Sequence, residues 1–311
     1  MIDPTANTLG YRALKTFPDT RLGLRMMYAA LRLTRFVRPP SALHVEKLRI
    51  PRRDGGKVRL VVVRPKKTAM NMPVVLHIHG GGYAAGVPEQ DYEIVRRYIS
   101  AAPGIFVMPD YRVSLKAPFP AALYDCYDAL IWLRDNARNL GGRLDQIFIM
   151  GESAGGGLTA SLCQMARDKG EVGIACQFPL YAMLDDRPDQ WTEIENSLLA
   201  WSKTKNRLGW KLYLGQAIAD PPNYSVPARA KALHGLPPAV GFIGDHDGFL
   251  GQNLAYFDLL RSFGVDARLQ VFKGAYHGVD ILAPNSDVGK AIWDYAIEEF
   301  KRAVETCSVQ N

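Results

Sequence analysis

An open, mostly parallel, doubly wound α/β sheet is the fold class this sequence predicts, and three observations predict it. Eight short β-prone runs recur along the chain. Helical segments separate them from the third onward, and one run ends in a glycine-marked turn that opens directly into a helix. At 311 residues, 48% hydrophobic and 22% charged, the chain can bury one large core with elaborations or two smaller ones.

The elements follow in order. Residues 21–36 repeat at helical spacing, with Leu22, Met26, Ala30 and Leu33 on one side and Arg21, Arg25, Arg32 and Arg35 largely elsewhere. This amphipathic basic helix is expected to pack its apolar stripe on its own protein; resting on a membrane surface is the minor alternative. Pro39-Pro40 stops it. Runs 45–50 and 58–64 flank an Asp54-Gly55-Gly56 turn and suit an antiparallel hairpin. The runs 74–79, 105–111, 147–150, 174–178, 240–244 and 269–272 complete the strands. Helices are expected at 89–101, at 120–140, directly after Ser153, at 251–263 and at 288–304.

One long interval breaks the alternation. Between Pro179 and Pro238 lie Trp191, Trp201 and Trp210 and helix-like runs, but no convincing strand. A structureless loop of that length is improbable in a compact domain. Residues 181–225 are therefore expected to form a helical cap insertion, joined by N-terminal cap helices in 1–44. The catalytic domain is then 45–180 and 226–311.

Composition excludes several classes of function. Cys126, Cys163, Cys176 and Cys307 are far apart and form no CxxC pair, so neither a zinc site nor a disulfide framework is expected. The net charge of +7 comes from Lys and Arg concentrated near the N-terminus without a recognisable binding module, and reads as a solvated basic face rather than a nucleic-acid site. The polar start of the chain lacks the form of a secretory signal, and no apolar run reaches the ~18–20 residues of a membrane span. A soluble, cytoplasmic protein without stable membrane association is expected; a homodimer is left open.

The chemistry centres on Gly151-Glu-Ser153-Ala-Gly155. A strained strand-to-helix turn of this kind lifts a serine oxygen above the sheet. Serine is a poor nucleophile unless a base takes its proton and a carboxylate orients that base. In open α/β sheets such groups lie beyond the carboxyl ends of strands. His277 alone of the six histidines falls just past the last strand, in a loop of small residues. Asp245 and Asp247 end the strand before it. Asp247, further out in the turn, is the expected partner, and Asp245 is left to support the loop. His79-Gly-Gly-Gly82 follows the third strand, where bare N–H groups of Gly81 and Gly82, with that of Ala154, can hold an oxyanion. No metal or cofactor is needed for this chemistry.

These motifs together resemble the hormone-sensitive-lipase-like branch of the α/β-hydrolase fold, its bacterial carboxylesterases in particular. The likeness rests on His79-Gly-Gly-Gly-Tyr83, Asp110-Tyr-Arg112 with Pro118-Phe-Pro-Ala-Ala122, Gly151-Glu-Ser-Ala-Gly-Gly156, Leu236-Pro-Pro238 and Gly274-Ala-Tyr-His-Gly278. It implies an α/β-hydrolase sheet under a helical cap, with Ser153 as nucleophile, His277 as base and Asp247 as its partner. The implied activity is hydrolysis of short-chain acyl esters, small molecules, through an acyl-enzyme. The alternatives are a ligand-binding protein on the same fold, and an amidase or acyltransferase using the same triad. Tyr83, Leu184, Trp201 and Phe249 are the expected pocket walls. The sequence departs from the family pattern at Leu115-Lys116, at Gly248-Phe249 and at Gly157, where asparagine is frequent.

Overall fold

Eight strands form one sheet in the computed structural model, which describes residues 2–67, 69–194 and 201–309. They are β1 (Leu43–Pro51), β2 (Lys57–Pro65), β3 (Met72–Ile78), β4 (Ile105–Asp110), β5 (Gly142–Glu152), β6 (Cys176–Leu180), β7 (Ala239–His246) and β8 (Ala267–Tyr276). Their order is β1-β2-β4-β3-β5-β6-β7-β8. The β1–β2 hairpin and the β2–β4 pair are antiparallel, and every later pairing is parallel. All eight expected strands are present. The parallel centre is where the sequence is most uniformly apolar: every residue of β3 is buried, as fits a strand covered on both faces.

The helices are α1 (Leu9–Lys15), α2 (Arg21–Arg32), α3 (Tyr92–Ala101), α4 (Ala121–Asn136), α5 (Ala154–Lys169), α6 (Lys203–Leu214), α7 (Leu250–Ser262), α8 (Val279–Leu282) and α9 (Asp287–Thr306). Phe300 of α9 packs on Phe106 of β4, Phe148 of β5 and Phe178 of β6, and Tyr98 of α3 meets it edge-on at 5.0 Å. On the second layer α4 packs beside α5, and Gln164 of α5 reaches Tyr256 of α7 at 3.2 Å. No helix among the described residues is long and apolar enough to cross a membrane.

The expected cap segments come together at one end of the sheet. Lys205 of α6 pairs with Asp19, just before α2, at 3.1 Å, and Ser202 hydrogen-bonds the same carboxylate. Residues 195–200 of the expected insertion lie outside the described residues. The aromatic stack of Tyr83 on Tyr213, 4.0 Å between centroids, ties α6 to the loop after β3.

Buried charge holds the β2–β4 side of that end. Arg59 bonds both Glu89 oxygens, at 2.6 and 2.9 Å, and Asp110 at 3.0 Å, while Arg35 reaches Asp110 from the N-terminal segment. Burial raises the Glu89 pKa, but Arg59 and Lys47 outweigh it and hold the carboxyl down to about 2. Arg59→Met should lower the unfolding free energy by about 2–4 kcal/mol, the cost of stranding buried charge reduced for partial exposure and for the remaining Lys47. Because the Glu89 pKa is depressed, that difference is full above its ordinary value of 4.5 and narrows as pH falls toward 2. Urea unfolding of both proteins across that range measures it.

Candidate active site

Ser153 sits between β5 and α5 with φ +56° and ψ −119°, a conformation L-residues rarely take. The turn is held there by crowding. A Cβ on Gly155 would lie 1.9 Å from the Ile78 carbonyl oxygen, and one on Gly151 would lie 2.5 Å from the Gly155 oxygen. Only glycine lets β5 and α5 approach the end of β3 so closely. The Ser153 N–H donates to the Leu180 carbonyl at 3.0 Å, and its own carbonyl accepts from Gly157 and Met183.

Two other strand ends complete the group. His277 follows β8, and its Nε2 lies 2.8 Å from Ser153 Oγ. Its Nδ1 lies 2.7 Å from Asp247 Oδ2, beyond β7, and the other Asp247 oxygen accepts from the Phe249 N–H at 2.9 Å. The imidazole is clamped edge-on by Tyr181 at 5.1 Å and Phe249 at 5.0 Å. Ser153, Asp247 and His277 are thus brought together. Asp245 is not among them: its Oδ1 accepts from the Gly274 N–H at 2.8 Å and meets His246, so it ties the β7 end to β8.

The loop after β3 faces the same point. Gly81 and Gly82 have φ +125° and +60°, and their N–H groups donate to no acceptor among the described residues. Ala154, the first residue of α5, adds a third N–H at the positive end of the helix. His79 lies behind the loop, its Nδ1 2.9 Å from the Gly80 carbonyl and its ring stacked on Tyr111 at 4.1 Å. Burial lowers its pKa, so the ring stays neutral and acts as scaffold.

A cavity of about 140 Å³ opens on Ser153 and His277. Of the four expected wall residues, Trp201 lines it. Tyr83, Leu184 and Phe249 do not. The Tyr83 hydroxyl donates to the Met183 carbonyl at 2.8 Å under the Tyr213 ring. Leu184 is fully buried, its N–H held by Gln252, and Phe249 packs between Trp191 and His277. The walls missed were Leu14, Met27 and Leu31 from α1 and α2, and Ile281 and Leu282 from α8. Met27 and Leu31, with Leu24, form a second helical stripe that was available in the sequence beside the one chosen.

Two departures from the family pattern have steric causes. A Cβ at Gly157 would lie 2.2 Å from both the Tyr83 hydroxyl and the Met183 carbonyl, and one at Gly248 would lie 2.1 Å from the Trp191 ring.

Glu152 belongs to a buried cluster behind Ser153. His77 Nε2 lies 3.2 Å from Asp91 Oδ2 and 3.4 Å from Glu152 Oε2. These three are the one group among the described residues with the spacing to hold a metal ion. They stand as a histidine between two carboxyls. One Nε2 hydrogen cannot serve both, and neither Glu152 oxygen has a hydrogen-bond partner. Burial accordingly raises the Glu152 pKa, opposed by His77. Burial opposes the His77 charge, but Glu152 and Asp91 outweigh it and raise the His77 pKa.

Asp280, three residues past His277, is also buried; its Oδ2 accepts from the Tyr181 hydroxyl at 3.2 Å, and burial pushes its pKa up to about 7.

A family model described as the alpha/beta hydrolase fold matches residues 75–281. The chain belongs to the α/β-hydrolase family. The carboxylesterase NlhH of Mycobacterium tuberculosis is 32% identical over 289 residues, spanning 89% of this chain and 88% of its own. Hormone-sensitive lipase of Bos taurus is 30% identical over 107 residues, 34% of this chain and 14% of its own. A solved bacterial heroin esterase superposes with a TM-score of 0.85 at 28% identity, covering 97% of this chain and 98% of that one. Within the family, this α/β-hydrolase chain falls in the hormone-sensitive-lipase-like esterase branch.

Its Asp280 provides a pH test of the site's foundation. A carboxyl raised from 3.8 to about 7 leaves stability intact below its ordinary value and removes it as pH rises toward 7. Asp280→Asn should therefore gain on the wild type between pH 4 and 7, by of order 2–4 kcal/mol across the window. Melting temperatures of the two proteins at both ends of it give the comparison.

Proposed function

We propose that the chain is a serine carboxylesterase acting on small-molecule acyl esters. The observation that carries this reading is the unbroken line from Ser153 Oγ to His277 Nε2 at 2.8 Å and from His277 Nδ1 to Asp247 at 2.7 Å. The names of related proteins, a carboxylesterase and a heroin esterase among them, support the same chemistry. His277 takes the Ser153 proton as Oγ bonds to the ester carbonyl carbon. The carbonyl oxygen becomes an oxyanion held by the N–H groups of Gly81, Gly82 and Ala154. Collapse breaks the bond to the alcohol oxygen, which leaves with the proton from His277. Water then repeats the cycle, bonding to the acyl carbon while His277 takes its proton, and the acid leaves as Ser153 recovers its hydrogen.

Asp247 holds the imidazole in the tautomer with Nδ1–H and balances its charge once protonated. Segments 1–44 and 181–225 act as the cap over a catalytic domain of 45–180 and 226–311, a division supported by the Lys205–Asp19 pair and by Leu14, Met27 and Trp201 in the cavity wall. A cavity of about 140 Å³ falls below the ~300–1,000 Å³ typical of drug-sized ligands, which favours short acyl chains.

Hydrolysis of p-nitrophenyl esters of increasing acyl length tests both parts of the reading. Turnover should be highest with short acyl groups and drop by roughly 10⁶ in Ser153→Ala. Asp247→Asn should lose about 10⁴, while Asp245→Asn keeps most of its turnover. Wild-type rates in Ser153→Ala would end the assignment, and a preference for long chains would end the pocket argument.

A further inference from the structure

We propose that the outward face of α2, continued through residues 33–37, is a docking surface for an anionic lipid surface. The apolar stripe expected to pack inward does the opposite. Gly23, Leu24 and Met27 are buried, whereas Leu22 is 63% exposed, Leu33 66% and Phe36 86%, with Met26 and Val37 also exposed. The helix cannot easily rotate to hide them. A Cβ on Gly23 would lie 1.9 Å from the Pro18 carbonyl oxygen, so α2 is clamped against the preceding turn, and Arg35 pins its far end to Asp110 at 2.5 Å.

Charge decides the occupant. Arg21, Arg25, Arg32 and Arg38 are exposed beside the stripe, and no Asp or Glu occurs between Asp19 and Glu46. Exposed apolar side chains flanked by arginines are the pattern of a helix lying in a lipid–water interface, where cations meet anionic headgroups and apolar side chains enter the acyl boundary. A second copy of the chain is a poor occupant by the same count. A two-fold contact sets a patch against itself and would bring these arginines face to face. The opposite side of the same helix lines the catalytic cavity through Met27 and Leu31, so docking would bring the cavity close to the lipid surface.

Co-sedimentation with vesicles tests this, using phosphatidylcholine alone and phosphatidylcholine mixed with phosphatidylglycerol, at low and high salt. The wild type should sediment with the anionic vesicles and be released by salt. Arg25→Gln with Arg32→Gln should weaken partition roughly thirtyfold, and Leu33→Ser with Phe36→Ser at least about tenfold. Both pairs should melt like the wild type, since the changed side chains are exposed or flank exposed ones. Ser153→Ala should bind as the wild type does, which separates docking from catalysis. Three results would overturn the proposal: no sedimentation of the wild type with anionic vesicles, partition unchanged by both variant pairs, or a dimer by light scattering that Leu33→Ser with Phe36→Ser dissolves.

Discussion

The contact between the Gly155 backbone and the Ile78 carbonyl is the constraint on which the site depends. It brings α5 against the end of β3 more closely than any side chain allows, and so forces Ser153 to positive φ with its Oγ lifted out of the turn. Ala154, the next residue, begins α5. One steric fact therefore sets the strained turn that holds Ser153. Strain of this sort costs of order 1–3 kcal/mol and persists only where the surroundings over-determine it. Here the Leu180 carbonyl and the N–H groups of Gly157 and Met183 all bond the Ser153 backbone.

The sheet supplies what the turn cannot. Asp247 and His277 lie far along the chain from Ser153, and only the parallel run β5-β6-β7-β8 brings their strand ends to one side. Aromatic edges from Tyr181 and Phe249 then limit the imidazole to the orientation that joins its two nitrogens to Ser153 and Asp247. Behind this layer lies an ionisable cluster of His77, Asp91 and Glu152, with Asp280 close to it. Burying the Glu152 and Asp280 carboxyls lowers stability at neutral pH, and the cluster sits under the residues that carry the proposed chemistry.

The strands and the helices between them were legible because their signals are local: β-branched runs, turn glycines and helical periodicity. The grouping of Ser153 with His277 and Asp247 was legible where topology restricts the search, since strand ends allow few residues; between Asp245 and Asp247 the structure brings Asp247 to His277. Two things were not legible. The pocket walls depend on packing between segments remote in sequence, so Tyr83 and Phe249, beside the motifs, and Leu184, in the expected cap, serve the core, while Met27 and Leu31 line the cavity. The facing of α2 was misread for a related reason. Its sequence carries two apolar stripes, and periodicity cannot say which one the protein covers; the clash that would follow any Cβ at Gly23 decides it.

The central claim is that Ser153 is the activated nucleophile, and a covalent trap tests it most directly. A p-nitrophenyl phosphonate ester should transfer its phosphonyl group to Ser153 Oγ as the bond from phosphorus to the p-nitrophenyl oxygen breaks, releasing one equivalent of p-nitrophenol per chain, with the adduct found by mass spectrometry on the peptide containing Gly151-Glu-Ser153. Labelling should also fall steeply in His277→Ala, which lacks the base. An adduct on another residue, or labelling of the wild type no faster than of the unfolded chain, would contradict the account.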